Sequence, residues 1–195
     1  MTYKVVSLSA VWFLISFIAG ALGFTASLVP PAPQIILFGL VVILFLLFLL
    51  SPGFKSWCLT VDVRVLVLIH VTRFIGIYFL ILYSEGKLPY NFAVPGGWGD
   101  IIVAALALIV VLFIPPKGGA GSGVYFLWNL IGFIDILYVI STAATLAISD
   151  PVSMSRLVKL PLSLLPTFLV PIIIFTHIVV FIRLYRIRGR DQRTI

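Results

Sequence analysis

Six apolar stretches, each close to the length of a bilayer-spanning helix, leave this chain few ways to fold. They run over 5–27, 35–51, 62–83, 99–115, 123–147 and 164–186, and about 20 apolar residues carry a helix across a hydrocarbon core of about 30 Å. Composition agrees. Of 195 residues 62% are hydrophobic and 10% charged, and the mean hydropathy is +1.26, too little polar surface for a soluble globule. The breaks carry turn chemistry: VPPAP at 29–33, SPGFK at 51–55, PPKGGAGSG at 115–123 and SDP at 149–151. The first apolar stretch outruns the roughly 7–15 residues of a signal-peptide core and reads as a retained span. The expected fold is all-α, a polytopic transmembrane bundle of about six spans. Residues 1–186 form one domain, 187–195 a basic tail, and the glycine-rich 115–123 a linker.

The net charge of +7 does not point to nucleic acid. Arg183, Arg186, Arg188, Arg190 and Arg193 cluster at the end of the last span and in the tail behind it, where basic residues meet anionic headgroups. Placing both termini in the cytoplasm puts Lys4, Lys55, Arg64, Lys117 and those five arginines inside, against Lys87, Arg156 and Lys159 outside. Nine against three favours that orientation in a cell membrane. Cys58 is the single cysteine, which excludes an intrachain disulfide and reads as a small apolar residue at the membrane boundary.

Two outer segments stand out. Residues 84–100, SEGKLPYNFAVPGGWGD, read as a re-entrant lid roofed by Phe92 and Trp98, with glycines 96, 97 and 99 as hinges, or as a loop whose aromatics sit at headgroup level. Residues 151–166 set Met154, Leu157, Val158 and Leu162 on one side, as in a short helix lying in the interface.

Polar residues inside the spans are the functional candidates. At 1.5 Å per residue, His70, Arg73, Asp135 and His177 fall in one slab about 5 Å thick near the midplane, with Asn129 close by. A central Arg or Asp costs about 2.5–3.5 kcal/mol on insertion scales, so neither faces lipid by default. Arg73 and Asp135 are the opposite charges at matching depth, which predicts that they pair. His70 and Arg73, at i and i+3, share a face, as do Trp128 and Asp135, and Gly132 between the latter admits a neighbouring helix. Pro171 frees the carbonyl of Thr167 and kinks the last span above His177. Asp100 reads as an N-terminal cap of the fourth span, or as an outer cap on the site.

Four readings follow. The first is binding or translocation of a small solute, ion or proton at Arg73, Asp135, His70, His177, Asn129 and Asp100, in a cavity lined by Arg73, Asp135 and His177 and opening outward. The second is a redox protein in which His70 and His177 ligate haem b. The third is an intramembrane enzyme with a transition metal on histidine and carboxylate. The fourth is a purely structural clasp. No phosphate loop, dinucleotide fingerprint, nucleophile elbow or C-x-x-C pair is present, and a homo-oligomer stays open. The segments GKLPYNFAVPGGWGD, WNLIGFID and LPLSLLPTFLVPIIIFTHIVVFIRL resemble a pattern in uncharacterised bacterial multi-pass membrane proteins. The resemblance implies a bacterial inner-membrane location and assigns no activity.

Overall fold

A computed structural model describes residues 1–116 and 119–191, the side chains of 119 and 187–191 excepted. Lys117, the tail arginines 188, 190 and 193 and part of the 115–123 linker lie outside the described residues or side chains. Among the described residues there is no strand, and six helices are long and apolar enough to cross a membrane. Helix α1 covers Thr2–Ala21, α2 Ala32–Leu50, and α3, a short helix between spans, Pro52–Thr60. The third span runs from α4, Val63–Leu68, through a 3-10 segment at Ile69–Ile75 into α5, Gly76–Ser84. Next come α6, Tyr90–Phe113, and α7, Gly119–Ser149. A π-helical turn at Leu165–Leu169 opens the sixth span, which continues as α8, Val170–Asp191.

Several boundaries depart from the sequence reading. SPGFK starts a helix, not merely a turn: the Ser51 hydroxyl accepts from Phe54 N–H at 3.4 Å and Pro52 takes the first helical position, a combination suited to helix starts. Cys58 on that helix is fully buried, and burial pushes its thiol up to about 12. The linker is already helical from Gly119. Residues 151–163 hold only a short 3-10 turn, Ser155–Val158, amid turns, and the sixth span begins directly after them. The segment's sidedness holds nonetheless, with Met154 and Leu162 buried and Arg156 and Lys159 exposed.

The largest change concerns residues 84–100. The third span ends at Gly86, whose φ of 68° is left-handed. There Lys87 N–H reaches the Leu82 carbonyl at 2.8 Å and Gly86 N–H the Tyr83 carbonyl at 2.9 Å, a Schellman stop. After Pro89 the chain is helical from Tyr90 through Pro95 and the glycines. The lid is therefore the first turns of a span. Proline and glycine mark breaks in water, but between packed helices they are tolerated and let backbones approach. Phe92 is buried against Phe79, ring centroids 5.1 Å apart, whereas Trp98 is 55% exposed and roofs nothing.

Two apolar cores fill the bundle. One gathers Val67, Val103, Tyr125, Trp128 and Val179; the other gathers Phe79, Phe92, Ala93, Ile136 and Ile174. Along each span the candidate polar residues fall between members of the two cores, as Arg73 does between Val67 and Phe79. Hydrocarbon side chains thus plug the polar layer from both ends.

Candidate functional site

The 3-10 segment sets the geometry. With three residues per turn, side chains at i and i+3 eclipse, about 6 Å apart along the axis. His70 and Arg73 therefore stand one above the other, both buried. Seven residues is long for 3-10 structure, a form usually limited to three or four, and such segments often mark functional places.

Arg73 uses each arm of its guanidinium. Nε–H donates to Asp100 Oδ1 at 2.6 Å, Nη1–H to the Gly132 carbonyl at 2.9 Å, and Nη2–H to Asp135 Oδ2. The predicted Arg73–Asp135 pair is present. Asp100, read from sequence either as a helix cap or as a member of the site, is the eleventh residue of α6, too deep to cap it, and is a second buried partner of Arg73. Glycines let the three helices close on one another. A Cβ on Gly99 would strike the Asp135 carboxylate, and one on Gly76 would strike the Gly97 carbonyl. The glycines of GGWGD are thus contact points, not hinges.

Exposure separates the three charged groups. The Arg73 and Asp100 side chains are 1% and 5% exposed, the Asp135 side chain 17%. On α7 Asp135 borders the buried stripe of Trp128, Gly132 and Val139 and the exposed stripe of Ile131, Ile134 and Tyr138. The sequence predicts both charges off the lipid; Arg73 is enclosed, but Asp135 sits at the lipid-facing edge of the cluster, held there by its pairing with Arg73.

Both histidines are fully buried, ring centroids 4.2 Å apart. Their partners fix the tautomers. Asn129 Nδ2 donates to the His177 carbonyl at 3.0 Å, so Asn129 Oδ1 faces His177 Nδ1 at 2.9 Å and accepts its proton. The Thr176 hydroxyl donates to the Ile172 and Ile173 carbonyls at 2.8 and 3.0 Å, so it accepts from His70 Nε2–H at 3.1 Å. His70 Nδ1 and His177 Nε2 are left as buried lone pairs with no hydrogen-bond partner. Trp128 donates to the Val103 carbonyl at 3.1 Å and sets its ring edge-on to His70, 5.0 Å away. Gly132 joins the two halves. Its carbonyl holds Arg73, and a Cβ there would lie 2.8 Å from His177 Cε1.

This arrangement does not fit haem b. Metal–nitrogen bonds of about 2.0 Å place two axial imidazole centroids roughly 6 Å apart across an iron, whereas these rings touch and leave no slot for a porphyrin. A metal centre fares no better: among the described residues no three His, Cys, Asp or Glu side chains converge, and both carboxylates are held by Arg73. Two sizeable cavities lie away from the cluster. A cavity of about 510 Å³ lies beside α1 and one of about 250 Å³ under residues 26–34 and 151–166. Both are apolar, and neither is lined by Arg73, Asp135 or His177. Phe92 lines the smaller one.

Six apolar helices around a buried guanidinium, two carboxylates and two imidazoles define a multi-pass membrane protein with an intramembrane polar site. The chain belongs to the DUF8737 family, a domain of unknown function, which matches residues 30–185. That stretch contains every residue of the cluster and leaves α1 outside. No curated protein and no solved structure matches the chain.

Proposed function

We propose that this protein binds a small cation at the cluster, in the first place a proton, and passes it across the cell membrane. The observation that carries the reading is the charge count: one guanidinium is held between two carboxylates from two other helices. With both ionised, the triad carries one net negative charge in a low-dielectric layer, where uncompensated charge is costly. One added positive charge makes it neutral. Beside the triad, His70 Nδ1 and His177 Nε2 are buried without a hydrogen-bond partner. Asp135, the least enclosed of the three charged groups, is the carboxylate that takes up the added proton. A clasp needs one carboxylate; the second gives the site something to bind.

The test is proton flux. Proteoliposomes carrying a pH-sensitive dye in the lumen receive an inside-negative potential from a potassium gradient and valinomycin. The wild-type protein should acidify the lumen faster than empty liposomes. Asp135→Asn, which keeps shape and leaves a neutral Arg73–Asp100 pair, should slow the flux about a hundredfold, the scale of a lost proton-transferring carboxylate. Wild-type flux no faster than that of Asp135→Asn would reduce the cluster to a clasp.

The same reading places both termini in the cytoplasm, on the basic-residue count. Cys58 is buried and its thiol pushed up to about 12, so the native thiol stays silent and single cysteines report cleanly. An impermeant maleimide applied to intact cells should label Lys87→Cys and spare Lys4→Cys. The reverse pattern would invert the topology.

A further inference from the structure

We propose that the cleft between α1 and the rest of the bundle is a binding site for an anionic phospholipid. One acyl chain lies in the cleft and the phosphate rests against Lys4, with the Lys55 ammonium adding positive charge nearby. This inference is independent of the ion-binding reading.

Helix α1 is barely embedded, with Ser16 its one buried residue, yet it is pinned at separate levels. Near its start Trp57 Nε1–H donates to Thr2 Oγ1 at 3.2 Å. Further along, Trp12 Nε1–H and the Ser16 hydroxyl both donate to the Thr167 carbonyl, at 2.9 and 3.1 Å. Pro171, with no N–H to offer, leaves that carbonyl open to them. Between the pins the helix stands off, and the resulting space of about 510 Å³ lies within the range of about 300–1,000 Å³ typical of small-molecule sites.

The solvent decides what fills it. The walls are apolar, among them Leu8, Leu44, Leu47 and Phe175, and the cleft reaches Thr176, whose hydroxyl is already bonded to carbonyls. Water would find few partners there, and the apolar molecule at hand in a bilayer is a lipid chain. Charge selects the headgroup. Lys4 lines the cleft and no acidic residue does; Lys55 is a neighbouring charge, its ammonium 5.8 Å from the ring centroid of Phe48, which packs on the lining Phe175. Ammonium groups at the lipid surface attract anionic headgroups. Trp57 on the same rim suits the interface.

Two of the four tryptophans, Trp12 and Trp57, line the cleft, which gives a direct readout. Trp98 faces outward and is removed as Trp98→Phe; Trp128 is buried. The protein is purified in detergent, stripped of lipid, and titrated with phosphatidylglycerol or phosphatidylcholine carrying brominated chains. Phosphatidylglycerol should quench saturably and bind about fivefold more tightly for each lysine contributing. The preference should vanish in Lys4→Glu/Lys55→Glu while a chain still quenches. Equal, unsaturable quenching by both lipids would mean ordinary boundary lipid and would overturn the proposal. So would absence of quenching, the result expected if a second copy of the chain covers the cleft, or retention of the preference in the charge-reversed variant.

Discussion

Replacing Arg73 with methionine is expected to cost about 3–5 kcal/mol of stability, the range for removing one partner of a buried ion pair. Methionine is unbranched and adaptable and fills much of the arginine's space, so the loss is electrostatic rather than a cavity. It strands Asp100, 3% exposed, and Asp135 in a layer sealed by apolar cores. It also deprives the Gly132 carbonyl of its donor. Asp135→Asn should be far milder, because Arg73 keeps one carboxylate and the count falls to zero. The decisive comparison is Arg73→Met/Asp100→Asn/Asp135→Asn, which removes all three charges and should recover most of the loss. Unfolding by SDS in a maltoside micelle, followed by circular dichroism, measures each variant. If the triple variant is no more stable than Arg73→Met, the stranded carboxylates are not the cause.

That charge count was only half legible in the sequence. Depth arithmetic brought Arg73 and Asp135 together because each stands alone at its level in an apolar span. His70 followed from its spacing to Arg73, and the 3-10 segment tightens that alignment, although nothing in IHVTRFI announces it. Asp100 carries two sequence readings, a cap of the fourth span or a member of the site, and its depth in the span has a physical reason that hydropathy hides. VPGGWGD reads as a break under rules learned in water, where glycine exposes backbone and proline ends helices. In a bundle the same residues allow close approach, so the span starts nine residues earlier than hydropathy suggested and Asp100 moves into the layer of Arg73. Glycine spacing was the available signal: Gly96 and Gly99 are three apart, and a carboxylate follows directly.

The last span shows the opposite case, in which local chemistry gave the outcome but not the partner. Pro171 requires the Thr167 carbonyl to look elsewhere for a donor. That Trp12 and Ser16 of α1 supply it depends on how the bundle wraps, a long-range fact with no local trace. The histidines behave similarly. Their depth predicted proximity, but ring contact and the tautomers imposed by Asn129 and Thr176 decide against haem and in favour of two vacant lone pairs.

Gly76→Ala is the smallest substitution with a large expected effect. A Cβ there would meet the Gly97 carbonyl at a separation that no packed structure tolerates and would lie 2.9 Å from Asp100 Cβ. Gly97 faces the same limit in return, with the Gly76 carbonyl 2.9 Å from its own Cβ position. The obstacle is backbone on both sides, so no rotamer change relieves it, and α5 and α6 must move apart. Overpacking of this kind costs about 1–3 kcal/mol, and the upper end applies where backbone blocks backbone. Alanine returns about 1 kcal/mol of helix propensity, which leaves a net loss. Gly39→Ala is the matched control: it sits in α2 with nothing within 4 Å of its Cβ position, so it keeps the propensity gain and should be neutral or stabilising. The functional readout follows from the same contact. Separating α5 from α6 draws Asp100 away from Arg73, so Gly76→Ala should lose proton flux as well as stability while Gly39→Ala keeps both. A Gly76→Ala variant as stable and as active as Gly39→Ala would show that the close approach of these two helices does not hold the cluster together.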